Sequence, residues 1–349
     1  MAASLIAATP PQDDSRAREL LRNGRPGEAA AIYRALSAAD PAKAEWLLNL
    51  SIALYQAKDF RGAAESARRT LDLNPSMLPA SLFLGASYLE LGEFEKAVPL
   101  LERVVAGNPG DRNGRLMLAK ALLAGRQFER AAQEFEAASQ LLPQNPSVWY
   151  GLGRAREALG RKEAANAAWV RLAAFPDSFE AHMHAAERND AAERWLEASQ
   201  DWEQALRLVP ESATARSGLA GSLFRRRDYM RVLSTLEPLL TTSSAEASFL
   251  YGASLVNLQR AEEAIPHLER ALSRDPNFLP AAAALGQALL QTSRPRDAIL
   301  YLTKAAATDT DGSVHFQLFR AYQSTNAPER AQEALADYKR LRGSGSRNH

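Results

Sequence analysis

The groups that could carry chemistry are few and poorly placed for it. The chain holds five histidines, His182, His184, His267, His315 and His349. His182 and His184 stand two apart in a helical stretch, so they point to different faces and make a poor metal pair. No HExxH pair, Walker A loop or G-x-S-x-G nucleophile elbow occurs. Gly151-Leu152-Gly153 lacks the third glycine of a dinucleotide loop and follows no strand. Cysteine is absent, which excludes disulfides, thiolate zinc sites, iron–sulfur clusters and a cysteine nucleophile. Carboxylates such as Glu93, Glu95, Glu134, Glu136, Glu262 and Glu263 lie beside Lys or Arg at helical spacing, as solvated helix faces do. The densest basic cluster, Arg225-Arg226-Arg227-Asp228, falls at a turn between two helices and reads as a solvated turn rather than a nucleic-acid patch. The expectation is a protein without catalytic residues, metal or cofactor.

What must be explained, then, is the elements themselves. In 349 residues, 42 Lys and Arg face 41 Asp and Glu, a formal net charge of +1. That balance supplies no field strong enough to hold nucleic acid or an anionic membrane. At 46% hydrophobic and 24% charged residues the chain has the composition of a folded protein. No window reaches the roughly 18 consecutive apolar residues that span a bilayer. Residues 1–9, small and apolar, read as a flexible N-terminus or an export-signal remnant, and 346–349 as a disordered tail. The compartment stays open between cytoplasmic and exported.

Prolines mark a repeat. Pro41, Pro75, Pro109 and Pro143 stand 34 apart, Pro176 follows after 33 and Pro210 after 34. Pro276 comes two units later, 66 residues on, with the middle proline missing. Each closes an apolar helical stretch, where a missing N–H and a fixed φ stop a helix. Within residues 78–111, Leu84, Gly85 and Tyr88 form one helical set, Gly92 breaks it, and Ala97, Leu101 and Val104 form a second. Two amphipathic helices joined by a tight turn account for the stretch.

This order, with Leu-Gly-x2-Tyr in the first helix and a small residue in the second, resembles the tetratricopeptide repeat, whose period is 34. The resemblance covers units 10–43, 44–77, 78–111, 112–145, 146–178, 179–212, 213–244, 245–278, 279–311 and 312–345, a solenoid over 10–345. The first-helix step recurs as Leu50-Ser51, Leu118-Ala119, Leu219-Ala220, Tyr251-Gly252 and Leu285-Gly286. The second-helix alanine recurs as Ala29, Ala63, Ala97, Ala131, Ala165, Ala198, Ala264, Ala298 and Ala331, with Val232 in the seventh unit. Ser244 and Thr310 replace closing prolines. The implied fold is all-α, a right-handed α-α superhelical solenoid of tandem helix-turn-helix repeats.

In this family the first helices line a concave groove that takes a partner peptide or helix. Carried over residue by residue, that implies Leu48, Asn49, Ile52, Tyr55, Leu82, Phe83, Leu116, Met117, Lys120, Tyr150, Arg154, Met183, His184, Phe224, Arg225, Phe249, Asn257, Phe316 and Arg320. The stripe is mostly apolar and aromatic, which marks an interaction surface. It lacks the Lys and Asn set that some members use to clamp a terminal carboxylate. The sixth unit departs most, with His182, Ala185, Ala186 and Asn189 where large apolar residues belong. Trp149, Trp169, Trp195 and Trp202 stand nearby, and are expected to fill the volume these small residues leave, the alternative being a hinge or ligand pocket at the centre of the array.

The functional expectation is a non-enzymatic scaffold binding a protein segment, with no nucleic acid. The alternatives are a nucleic-acid-binding helical repeat, or a non-catalytic subunit of an envelope or polysaccharide-export assembly. Oligomeric state is left open.

Overall fold

The computed structural model of the chain describes residues 10–240 and 244–345. Residues 1–9 and 346–349, the expected N-terminal remnant and tail, lie outside the described residues. Among the described residues every regular element is helical.

The chain divides into two compact units after Pro176. The first holds five helix pairs: α1 (Pro10–Arg22) with α2 (Pro26–Ala39), α3 (Ala44–Gln56) with α4 (Phe60–Leu73), α5 (Leu78–Glu90) with α6 (Phe94–Gly107), α7 (Arg112–Ala124) with α8 (Phe128–Leu141), and α9 (Pro146–Ala158) with α10 (Lys162–Leu172). The second holds α11 (Phe179–Ala191) with α12 (Trp195–Leu208), α13 (Ala213–Arg225) with α14 (Tyr229–Leu236), α15 (Ala245–Asn257) with α16 (Ala261–Arg274), α17 (Leu279–Gln291) with α18 (Pro295–Ala305), and α19 (Ser313–Ser324) with α20 (Pro328–Gly345).

The turn inside each pair is built one way. Its middle residue is left-handed, with φ between 57° and 75°: Gly24, Gly92 and Gly160, but also Lys58, Arg126, Glu193, Arg227, Gln259, Ser293 and Asn326. The next amide then donates to the carbonyl five residues back, as Asp59 N does to Leu54 O at 2.9 Å and Glu93 N to Tyr88 O at 2.8 Å. That bond satisfies a carbonyl the helix end leaves orphaned. Between pairs, Asp111, Ser178, Ser212 and Ser244 cap the next first helix, and inside a pair Asp59 caps α4, each accepting from an amide three residues on. Asp59 alone of these caps a second helix. Ser244, where a closing proline is missing, thus starts the next helix instead.

Packing explains the small residues. The second-helix alanines from Ala29 to Ala298 and Val232 are at most 1% exposed, and Ala331 is 4% exposed. In regular pairs a leucine from the second helix sits on a first-helix glycine. A Cβ on Gly85 would stand 2.8 Å from Leu101, on Gly252 2.7 Å from Leu268, and on Gly286 2.5 Å from Leu302. No side chain fits there without displacing the leucine, so the glycine sets how closely the pair approaches.

Successive first helices touch within each unit, α3 with α5, α5 with α7 and α7 with α9, and likewise α11, α13, α15, α17 and α19 in order. Successive second helices do not meet to the same extent. The first helices therefore line the inner side of each unit's stack.

Candidate functional site

In the second unit, α11, α13 and α15 with their neighbours enclose a cleft of about 710 Å³. Its floor is α13, where Ser217, Gly218 and Gly221 leave the inner face nearly bare. The two glycines do different things. A Cβ on Gly218 would stand 2.5 Å from the Trp202 ring, whereas one on Gly221 would meet nothing within 4 Å. Gly218 admits the indole, and Gly221 opens the cleft.

Trp202 is 4% exposed. Its Nε1 donates to Asp190 Oδ2 at 2.7 Å, and Ser222 Oγ donates to Asp190 Oδ1 at 2.6 Å. One carboxylate thus ties α11, α12 and α13 together while satisfying the buried indole N–H. Aromatic rings form a chain along the same region: Tyr229 to Phe224 at 5.6 Å, Phe224 to Phe249 at 6.0 Å, and Phe249 to Phe278 at 5.2 Å between centroids. Trp195 also lines the cleft, with the Arg225 guanidinium 5.8 Å from its ring centroid. The lining carboxylates are Glu187, Asp190 and Glu246, and Arg225 is its cation.

Phe224, Arg225 and Phe249 are therefore brought together as the sequence suggested. Glu187, Asp190, Gly221, Glu246 and Phe278 were not foreseen, and Trp195 was expected to fill volume rather than to line a cleft. One signal was available. Gly218 and Gly221 lie three apart in a helix where each costs about 1 kcal/mol relative to alanine, so something must approach or enter that face.

On the first unit's inner face, Leu48, Asn49, Ile52, Tyr55, Leu82, Phe83, Leu116, Met117 and Tyr150 are half-buried, while Lys120 and Arg154 are exposed. Leu82, Leu116 and Met117 pack on the core beneath them. Tyr55 stands edge-on to Phe60 at 5.4 Å and to Phe83 at 5.8 Å. Burial, with the Glu90 carboxylate close by, pushes the Tyr55 phenol up to about 12. The Arg154 guanidinium lies 5.9 Å from the Tyr150 ring.

Elsewhere in the second unit the expectation needs correction. Met183 is only 4% exposed and belongs to the core, not to a groove. An unbranched thioether fills irregular interior space readily, and its burial wins over display. His184 is half-buried, and exposed Asn257 turns its Nδ2 back to Ala253 O of its own helix at 2.8 Å. Phe316 and Arg320 line a different cleft of about 560 Å³, together with Gln287, Tyr338 and Arg342. Of the four tryptophans expected to fill volume, Trp202 is buried, whereas Trp149, Trp169 and Trp195 are half-buried. Trp169 covers Gly153 and donates Nε1 to Glu157 Oε1 at 3.0 Å. Trp149 donates Nε1 to Pro143 O at 2.9 Å. The odd residues of the sixth pair form a polar seam instead: Asn189 Nδ2 donates to Asp201 Oδ2 at 2.8 Å, with His182 Nδ1 at 3.7 Å from the other oxygen. Arg226, in the basic cluster, donates to Ser199 Oγ at 2.8 Å. Among the described residues no group of three or more His, Asp or Glu side chains could hold a metal ion, and no helix is long and apolar enough to cross a membrane.

Two family models described as tetratricopeptide repeat match the chain, one over residues 15–77, 116–181 and 185–230, the other over 54–121, 88–140 and 255–315. Anaphase-promoting complex subunit 3 of Schizosaccharomyces pombe is 21% identical over 247 residues, which are 70% of this chain and 37% of that protein. The chain thus spans little more than a third of that relative's length. A crystal structure of the APC/C hetero-tetramer Cut9-Hcn1 is similar in fold, with a TM-score of 0.59 at 18% identity, over 87% of this chain and 58% of that one. MamA from Desulfovibrio magneticus RS-1 is 25% identical over 46% of this chain and 90% of its own, with a TM-score of 0.44.

Proposed function

Since the chain belongs to the tetratricopeptide repeat family, we propose that it is a non-enzymatic protein-interaction scaffold whose first helices hold a partner peptide or helix. The observation that carries this reading is the cleft over α13. A helix that places a small serine at 217 and no side chain at 221 on its inner face, between aromatic rings left half-exposed, forgoes packing energy that its own fold could have used. Such an apolar hollow on a folded protein is a place for a partner's side chains. Its aromatics are the residue types that dominate binding energy when a partner desolvates them. The half-buried stripe from Leu48 to Met117 in the first unit is a second, flatter surface of the same kind.

The test is capture of binding proteins by the intact chain, repeated with Phe83→Glu and with Phe249→Glu. A carboxylate placed on a desolvated face should release whatever is held there. Partners that survive both changes at full occupancy would remove the first-helix faces from the interaction.

A further inference from the structure

The cleft over α13 has a charge as well as a shape. Its walls supply three carboxylates, Glu187, Asp190 and Glu246, against the single guanidinium of Arg225. The rest of its lining is largely ring surface, from Trp195, Phe224, Phe249 and Phe278. Aromatic faces attract cations through their quadrupole, most strongly where water is excluded. The protein already uses this chemistry at the cleft, where Arg225 stacks on Trp195. Lysine and arginine also bury an apolar stem while their charged heads reach toward polar groups. A hollow with ring walls and a carboxylate excess suits that shape, and low-dielectric walls concentrate its negative potential.

Resting on the scaffold reading above, we infer that this cleft takes a basic peptide segment, a lysine or arginine of a partner protein with an apolar residue beside it. The stem lies on the Phe224–Phe249–Phe278 rings, the charged head meets the carboxylates, and the apolar neighbour enters the space that Gly221 leaves. Arg225 then acts as an internal competitor: it occupies one ring face and cancels one carboxylate charge.

The full chain is titrated calorimetrically with three capped short peptides: one alternating leucine and lysine, one with glutamate for lysine, and one with serine for leucine. The leucine–lysine peptide should bind about tenfold or more tightly than either of the others. Gly221→Leu puts bulk into the hollow at a position where a Cβ meets nothing within 4 Å; it should weaken that peptide about tenfold or more while the melting temperature holds. Arg225→Ala should tighten it severalfold, and Glu246→Lys should weaken it, both differences shrinking as salt is raised. Equal binding of the glutamate peptide, no measurable binding of the lysine peptide, indifference to Gly221→Leu, or weaker binding by Arg225→Ala would each overturn the inference. The two readings separate cleanly. If Phe249→Glu and Gly221→Leu release captured partners while Arg225→Ala does not strengthen their retention, the cleft binds protein but not through a basic residue.

Discussion

Helices α5 and α13 occupy the same place in their pairs, yet present opposite surfaces. At matching positions α5 carries Leu82, Phe83 and Ala86, and α13 carries Ser217, Gly218 and Gly221. Each of the two helices receives a large residue closely at a glycine. Beside α5 it is Leu101 on Gly85, within the pair; beside α13 it is Trp202 on Gly218, from the preceding pair. The indole reaches the next pair's first helix and needs glycine there, as the Phe135 ring does at Gly151. The hollow at Gly221 follows one turn on. The comparison teaches that one period can specify a sealed face or an open one, depending on where bulk is moved between neighbouring pairs.

The largest effect expected is at the two large residues. Trp202→Ala should cost about 3–5 kcal/mol and Leu101→Ala about 2–5 kcal/mol, read by denaturant unfolding. A loss under about 1 kcal/mol at Trp202 would make the ring a ligand-facing surface rather than core and would break the comparison. Next come the carboxylates that accept from indoles. Asp190→Ala strands a buried N–H and should cost about 1–3 kcal/mol. Glu157→Ala, whose bond to Trp169 is exposed, should cost less than about 1 kcal/mol. The glycines of α13 give the sharpest contrast, because alanine should act with opposite signs three residues apart. Gly218→Ala drives a methyl into the Trp202 ring and should lose about 1–3 kcal/mol. Gly221→Ala meets nothing and should gain about 0.5–1 kcal/mol through helix propensity. Equal effects would mean that neither glycine is there for space.

The smallest effect concerns the sealed face. The Tyr55 phenol ionises at about 12 in the fold against about 10 unfolded, so the neutral form is favoured in the native state. That contribution is intact below pH 10 and is lost as pH rises toward 12. Tyr55→Phe should therefore flatten the alkaline fall in stability and remove one of the two late phenolate absorbance steps of the wild type, the other being that of Tyr33, which burial also pushes up to about 12. Ionisation of Tyr55 near 10 would show that this face is as wet as the cleft.

Much of the fold was legible in the residues. The 34-residue proline phase, the Leu-Gly steps and the second-helix alanines each reflect a constraint local to one pair, so they recur and can be counted. The turns were legible only in part. Gly24, Gly92 and Gly160 announce a left-handed residue, but Lys58, Arg126, Glu193, Arg227, Gln259, Ser293 and Asn326 adopt the same φ without an identifying side chain, held by the bond across the helix end. The candidate site was less legible. A repeat position names a face of a helix, and Phe224, Arg225 and Phe249 followed from it. Met183 stands at the same repeat position as Phe249 and is buried, because exposure depends on which neighbours fill the space beside it.

Amino-acid order alone therefore settled the periodicity, the helix pairs and which small residues receive a neighbour, since all of these are set by contacts within about one repeat. Tertiary structure decided that Trp202 crosses to the next pair, that Asp190 bonds both the indole and Ser222, and that a hollow opens over Gly221. Those outcomes depend on distances among three helices at once, and no spacing along a single strand of sequence encodes a three-body distance.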